Sequence, residues 1–198
     1  MSDICIVLLA AGHSSRYGSA KLLEVFGGET LIRRIAKAAL GTDSRVLVVT
    51  GAYAERITAE LSGLDLVLVH NAEWNEGMGT SIATAIRTIL SGINRCVAAI
   101  ICPADLPLIG TEQLRRLSDA HERNPLRIIA SNWGDARGAP CLFPMSYFLQ
   151  LAQLKGPQGA RVLLEQYPTE VECIALPEAA TDIDTAEDYA SLNSERRK

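Results

Sequence analysis

The stretch Leu8-Leu9-Ala10-Ala11-Gly12-His13-Ser14-Ser15-Arg16-Tyr17-Gly18-Ser19-Ala20-Lys21 joins an apolar run, residues 4–9, to a polar loop holding one Arg and one Lys. The run stops at small residues and Gly12. A buried strand that feeds a glycine-bearing, cationic loop is a way to hold phosphate. Backbone N–H groups converge on the anion, and the two side chains add positive charge. Two familiar glycine loops are excluded. The dinucleotide fingerprint G-x-G-x-x-G fails because no Gly stands two residues after Gly12. The P-loop pattern G-x-x-x-x-G-K-[ST] fails because Gly18 falls one residue late and is followed by Ser19.

Outward from this stretch, apolar runs rich in β-branched residues recur at 46–50, 66–69, 97–102 and 128–130. They do not alternate in polarity, as expected of parallel strands covered on both faces. Between them lie stripes at helical spacing: Leu31, Ile35, Ala38 and Ala39; Ile57 and Leu61; Ile82, Ala85, Ile86 and Ile89; Leu114 and Leu117. Thr111 reads as the N-cap of the fourth helix, with Glu112 in its first turn. The alternation predicts a three-layer α/β fold with right-handed crossovers. Residues 132–140 break the rhythm as a turn-rich loop, either an inserted hairpin or a loop over the sheet, before the strand-like Cys141-Leu142-Phe143. With no repeat and no linker, one domain over residues 1–198 is expected.

Composition narrows the function classes. The 48% hydrophobic and 21% charged content is globular. A net charge of -4 speaks against a general nucleic-acid binder, though not against one bound nucleotide. Cys5, Cys96, Cys102, Cys141 and Cys173 are scattered without a C-x-x-C pair, which reads as reduced core thiols of a cytoplasmic protein. No basic leader opens the chain and no apolar run is long enough to span a bilayer, so neither export nor a membrane partner is expected.

Three further stretches carry candidate chemistry. In Pro103-Ala104-Asp105-Leu106-Pro107, an Asp at a strand's carboxyl end is held between prolines. It either caps a turn or reaches a metal among phosphates, where Mg²⁺ takes oxygen ligands. In Thr181-Asp182-Ile183-Asp184-Thr185-Ala186-Glu187-Asp188, an extended segment puts Asp182 and Asp184 on one side, and like charges so placed repel unless a cation relieves them. Glu187 and Asp188 are already explained as the first turn of a helix begun at Thr185. Asn71 to Ser81 holds Gly77, Met78 and Gly79. It is either a ligand-facing loop, with glycines that let backbone approach a flat group, or a flexible loop with Thr80 or Ser81 as N-cap.

The opening stretch fits L-A-A-G-x-x-x-R-x-G-x-x-K at Leu9, Ala10, Ala11, Gly12, Arg16, Gly18 and Lys21. It resembles the MobA-like nucleotidyltransferases, especially their molybdenum cofactor cytidylyltransferase branch, and the resemblance extends from Leu8 to Asp188. It implies a Rossmann-like nucleotidyltransferase fold, a mostly parallel sheet with one reversed strand. It also implies roles. Leu9, Ala10, Ala11, Gly12, Arg16 and Lys21, with Asn71, Gly77, Met78 and Ser81, bind the nucleotide. Arg16, Lys21 and Asp105 are catalytic, and Asp105 and Asp184 hold Mg²⁺. Gly138, Pro140, Arg161 and Asp182 face the acceptor, although Arg161 reads equally as a surface residue. Two positions depart from the family: Ala139 stands where its G-H-P-x-L-F has histidine, and Pro157 where its G-D-x-G-A-R has aspartate.

The implied reaction moves CMP from CTP to the phosphate of a molybdopterin-type cofactor and releases pyrophosphate. The Ala11 methyl group, where the guanylyltransferase branch has glycine, favours a pyrimidine. The alternatives are a guanylyltransferase, a cytidylyltransferase for another phosphorylated small molecule, or a non-catalytic carrier that delivers the cofactor to a molybdoenzyme.

Overall fold

The structure, a computed structural model, describes residues 3–14, 17, 19–92, 96–183 and 188–189. In chain order the strands are β1 (Ile4–Ala10), β2 (Val25–Phe26), β3 (Glu29–Thr30), β4 (Arg45–Thr50), β5 (Val67–His70), β6 (Ala98–Pro103), β7 (Ile128–Trp133), β8 (Ala136–Pro144) and β9 (Val171–Ala175). The helices are α1 (Leu31–Leu40), α2 (Ala54–Glu60), α3 (Met78–Leu90), α4 (Thr111–Arg123), α5 (Phe148–Leu151) and α6 (Arg161–Gln166). Seven strands form one sheet in the order β5-β4-β1-β6-β8-β7-β9, and β2 and β3 form a separate ribbon. The sheet is parallel throughout except for β8, which runs against both β6 and β7. This is the α/β arrangement that the alternating runs predict, in the Rossmann-like form with one reversed strand that the family resemblance implies.

The pleat divides β1 between two cores. Ile4, Ile6 and Leu8 pack with α1, α2 and α4 through Ile35, Ile57 and Leu114. Cys5 and Val7 face the other way, toward α3, α5 and α6 through Ile82, Phe148 and Leu163. A strand buried on both faces has no polar side, so the run shows no alternation. β5 breaks that pattern: it is an edge strand, and Val67 and Leu68 are exposed. A third, smaller cluster sets Ile183 against Phe26 and Leu31, which anchors the C-terminal segment to the β2–β3 ribbon.

Three local expectations are corrected, and one of two open alternatives is decided. Thr111 is the first residue of α4, not its cap; the N-cap is Gly110, whose N–H is taken by Gln113 Oε1 at 3.0 Å. The Thr111 hydroxyl instead donates to Ala38 O at 2.8 Å and ties α4 to α1. Likewise α3 is capped by Gly77, and Thr80 and Ser81 lie buried in its first turn. Residues 132–140 are a hairpin within the sheet, not a loop over it: Trp133 pairs with Ala136, and Gly134 turns the chain at φ +56°. Of the five cysteines, all free thiols, Cys173 on edge strand β9 is exposed and the other four are buried.

Candidate active site

Parallel strands deliver their carboxyl ends to one rim, and β8, running oppositely, brings its first residues there. The loops after β1, β5, β6, β7 and β9 and the start of β8 therefore enclose one cleft of about 730 Å³. Ten of the proposed site residues line it: Leu9, Ala11, Gly12, Lys21, Gly77, Met78, Ser81, Asp105, Arg161 and Asp182. Arg16 and Asp184 lie outside the described residues.

The first loop is held from below. Ala11 O accepts from Ala52 N–H at 3.1 Å, and Leu9 O accepts from Ala104 N–H at 3.1 Å. Gly51 lets the loop sit this close: a Cβ there would lie 2.6 Å from Trp74 Cβ and 2.8 Å from Ala11 Cβ. Gly12 is the opposite case. A Cβ on it would meet nothing within 4 Å, so its missing side chain leaves room in the cleft itself. That space, lined by backbone, suits an anion contacted by N–H groups.

Lys21 starts a single 3₁₀ turn, residues 21–23, and its Nζ reaches Asp105 Oδ2 at 2.7 Å. The pair is only 12% and 24% exposed, so water screens it incompletely. The main chain of Asp105 also clasps the C-terminal segment, since its carbonyl accepts from Ile183 N–H at 3.2 Å. Ile183 is fully buried, and the neighbouring Asp182 turns outward to the cleft. Among the described residues, no cluster of three or more His, Cys, Asp or Glu side chains is placed to hold a metal ion. Asp105 and Asp182 are nevertheless hard oxygen donors on the wall of a cleft suited to phosphate. That donor set fits a divalent cation of the Mg²⁺ type, which completes its shell with phosphate oxygens and water.

Asn71 is placed differently from the other nucleotide candidates. It is 2% exposed, and its amide nitrogen donates to Thr80 Oγ1 at 2.9 Å and Ser81 Oγ at 3.0 Å. Its oxygen accepts from Glu73 N–H at 3.0 Å. Asn71 is thus committed to shaping the turn before α3, not to the cleft surface. The turn is then locked to the loop before α6: Gly79 N–H donates to Gly156 O at 3.0 Å, and a Cβ on Gly79 would lie 2.7 Å from Gln158 O. Ala10, Gly138 and Pro140 also stand behind the lining. Ala10 is buried in the sheet, and the carbonyl of Pro140 takes the Ser131 hydroxyl at 2.6 Å.

Sequence reasoning missed the aromatic wall. Trp74 and Trp133 both line the cleft. Trp74 stacks on His13 with ring centres 6.0 Å apart, and His13 stacks in turn on Tyr53 at 5.5 Å. The Tyr53 hydroxyl donates to His13 O at 3.0 Å and fixes that stack to the first loop. The missed signal was the aromatic at Trp74, three residues before Gly77 in the turn that leads into α3.

The sequence profile of the MobA-like NTP transferase domain matches residues 6–171. Nicotine blue oxidoreductase of Paenarthrobacter nicotinovorans is 30% identical over 196 residues, which covers 94% of each chain. Molybdenum cofactor cytidylyltransferase of Escherichia coli (strain K12) is 26% identical over 193 residues, covering 96% of this chain and 95% of that one. Among solved structures, a homologue of the Mycobacterium tuberculosis protein Rv0371c from Mycobacterium sp. strain JC1 is similar at a TM-score of 0.81 and 26% identity, over 99% of this chain and 98% of its own.

Proposed function

The chain belongs to the MobA-like NTP transferase family, and from that premise we propose that it transfers CMP from CTP to the phosphate of a molybdopterin-type acceptor. The observation that carries the reading is the Lys21–Asp105 pair beside the open backbone of Gly12. An acceptor phosphate oxygen attacks the α-phosphorus in line, and pyrophosphate leaves. The attacking oxygen is already anionic, so the protein supplies position and charge, not a base.

Backbone at Ala11 and Gly12, with Arg16, holds the triphosphate. Lys21 neutralises charge that grows at the α-phosphate, and Asp105 keeps its ammonium group aimed into the cleft. Gly77, Met78 and Ser81 border the base and ribose, with Asn71 and Ala10 as supports beneath. Gly138, Pro140, Arg161 and Asp182 are assigned to the acceptor side, Gly138 and Pro140 acting through the hairpin they shape. Mg²⁺ would be held by Asp105 and Asp184, with Asp182 on the cleft wall as a weaker donor, and would supply positive charge to the phosphate oxygens. Ala11 lines the cleft, and the methyl group it carries in place of a glycine hydrogen favours cytosine over guanine.

The test is pyrophosphate release from CTP and molybdopterin, with GTP compared. CTP with Mg²⁺ is expected to raise the melting temperature more than GTP does, because the preferred ligand stabilises by mass action. Release with GTP alone would transfer the assignment to guanylyl transfer. Cofactor binding without release would transfer it to a carrier. A second reading follows from the relative named as an oxidoreductase and from the two tryptophans in the cleft. In it, the cleft holds a flat aromatic compound for an exchange of electrons with a soluble redox donor. Electron transfer to an aromatic dye in place of pyrophosphate release would establish it.

A further inference from the structure

Among the described residues, the charged side chains that line the cleft are Lys21, Asp105, Arg161 and Asp182. Arg161 stands apart: its side chain is 75% exposed, and its Nε donates to Glu165 Oε1 at 3.0 Å. Lys21 is therefore the lining cation that a metal on Asp105 would meet. Its Nζ already lies 2.7 Å from Asp105 Oδ2, in a pair only 12% and 24% exposed.

The carboxylate has little freedom to leave that ammonium. Ala104 N–H donates to Leu9 O at 3.1 Å, Asp105 O accepts from Ile183 N–H at 3.2 Å, and both Ala104 and Leu106 are buried. The backbone of Lys21 is pinned as well. Its N–H donates to Ser19 O at 2.8 Å, its carbonyl accepts from Glu24 N–H at 3.1 Å, and Leu22 beside it is buried. What can change partner is the four-carbon stem with its rotatable ammonium. Gly12, on the same cleft, leaves room for an anion, since a Cβ there would meet nothing within 4 Å.

A divalent cation brought to Asp105 without a nucleotide meets an ammonium on the same carboxylate. Two cations within a few ångströms of each other repel, here in a place that water screens incompletely. A triphosphate reverses the balance. It offers oxygens to the metal and gives the ammonium another anion to bind.

We propose that Lys21 is the resident counter-cation of Asp105 and gates its metal: the carboxylate takes a divalent cation well only when a triphosphate draws the lysine off it, so that metal and nucleotide enter as one complex. The inference rests on the reading that Asp105 serves a metal beside a nucleotide, and it gives Lys21 a part in metal loading besides its part at the α-phosphate.

The probe is Mn²⁺, whose free-ion paramagnetic resonance signal falls as it binds to the whole chain without nucleotide. Lys21→Met removes the ammonium and binds Mn²⁺ about tenfold more tightly than the unaltered chain, because the repulsion between two cations is lost. Lys21→Gln, polar and uncharged, gains alike, so the outcome does not hang on the folding of one variant. Lys21→Arg keeps the charge and gains nothing, and the gain disappears when Lys21→Met is combined with Asp105→Asn. Water-proton relaxation, which rises when Mn²⁺ joins the protein, shows the unaltered chain taking the ion once CTP is added. A lysine that merely supported the fold would loosen metal binding on removal, so the sign of the change separates the two roles. The proposal is overturned if both uncharged variants bind Mn²⁺ no better than the unaltered chain, if Lys21→Arg gains as they do, or if the gain survives Asp105→Asn. It is also overturned if CTP leaves Mn²⁺ binding by the unaltered chain unchanged. Tighter Mn²⁺ binding without pyrophosphate release from any nucleotide would remove the proposed reaction and leave this inference standing. Release with Mn²⁺ affinity unaltered in the uncharged variants would do the reverse.

Discussion

Lys21 Nζ and Asp105 Oδ2 lie 2.7 Å apart, which joins the loop after β1 to the loop after β6 across 84 residues. Neither side chain alone has a rigid place: a lysine stem is flexible, and Asp105 follows a strand end. Together, and poorly screened, each fixes the other at the mouth of the cleft. Lys21→Met keeps the stem and removes the charge. It is expected to lower the rate of pyrophosphate release on the order of 10²–10³-fold, the cost of losing one preorganised donor. Asp105→Asn keeps the shape and is expected to lose a comparable factor. Either variant turning over at the original rate would remove the pair from the reaction.

Asn71 carries a prediction of another kind, because its side chain is spent on protein groups. Asn71→Ala strands the Glu73 N–H and takes a donor from the hydroxyls of Thr80 and Ser81. The expected loss is about 1–3 kcal/mol in urea unfolding. Affinity for CTP should fall only as the turn before α3 loosens. A stable Asn71→Ala chain with abolished CTP binding would mean that Asn71 touches the ligand directly.

Much of this was legible because the physics was local. The strands of the sheet's centre lie between two helical layers, so continuous apolar runs at 4–9, 46–50 and 97–102 marked them. β9 was not legible: Val171-Glu172-Cys173-Ile174-Ala175 is a half-exposed edge strand whose partner β7 lies some 40 residues earlier. Thr111 misled because a hydroxyl at a helix start serves a cap or a neighbouring helix equally well, and only packing decides. Of the site, the glycines and charges were visible as patterns. Trp74 and Trp133 were not, since a lone aromatic reads as core until a close approach such as that at Gly51 or Gly138 places it.

Gly12 and Gly79 separate room for ligand from room for protein. A methyl group at Gly12 meets no atom within 4 Å, so Gly12→Ala should melt at the original temperature yet bind CTP more weakly. At Gly79 the same methyl group would lie 2.7 Å from Gln158 O and 2.8 Å from Lys155 O, which are backbone atoms that cannot rotate aside. Gly79→Ala is therefore expected to cost about 1–3 kcal/mol, a drop of roughly 2–10 °C in melting temperature. Equal melting of the two variants would contradict this division.

His121 gives the fold an acid-sensitive point far from any proposed chemistry. It lies in the last turn of α4, 5% exposed, and its Nδ1 is buried with no hydrogen-bond partner. Burial holds its pKa below the ordinary 6.5, with the nearby Glu122 opposing the shift. The unfolded chain thus takes up this proton near pH 6.5, and the folded chain only at lower pH. Between those values the unfolded state binds more protons, so stability rises with pH across that window. The contribution is complete above pH 6.5 and is lost as the pH falls toward the folded value. His121→Leu removes the titration without leaving a polar atom in the core. Urea midpoints measured from pH 7 down to pH 5 should therefore fall less steeply for the variant than for the unaltered chain. Parallel slopes would show that the imidazole takes up its proton at the same pH in the folded and unfolded chains.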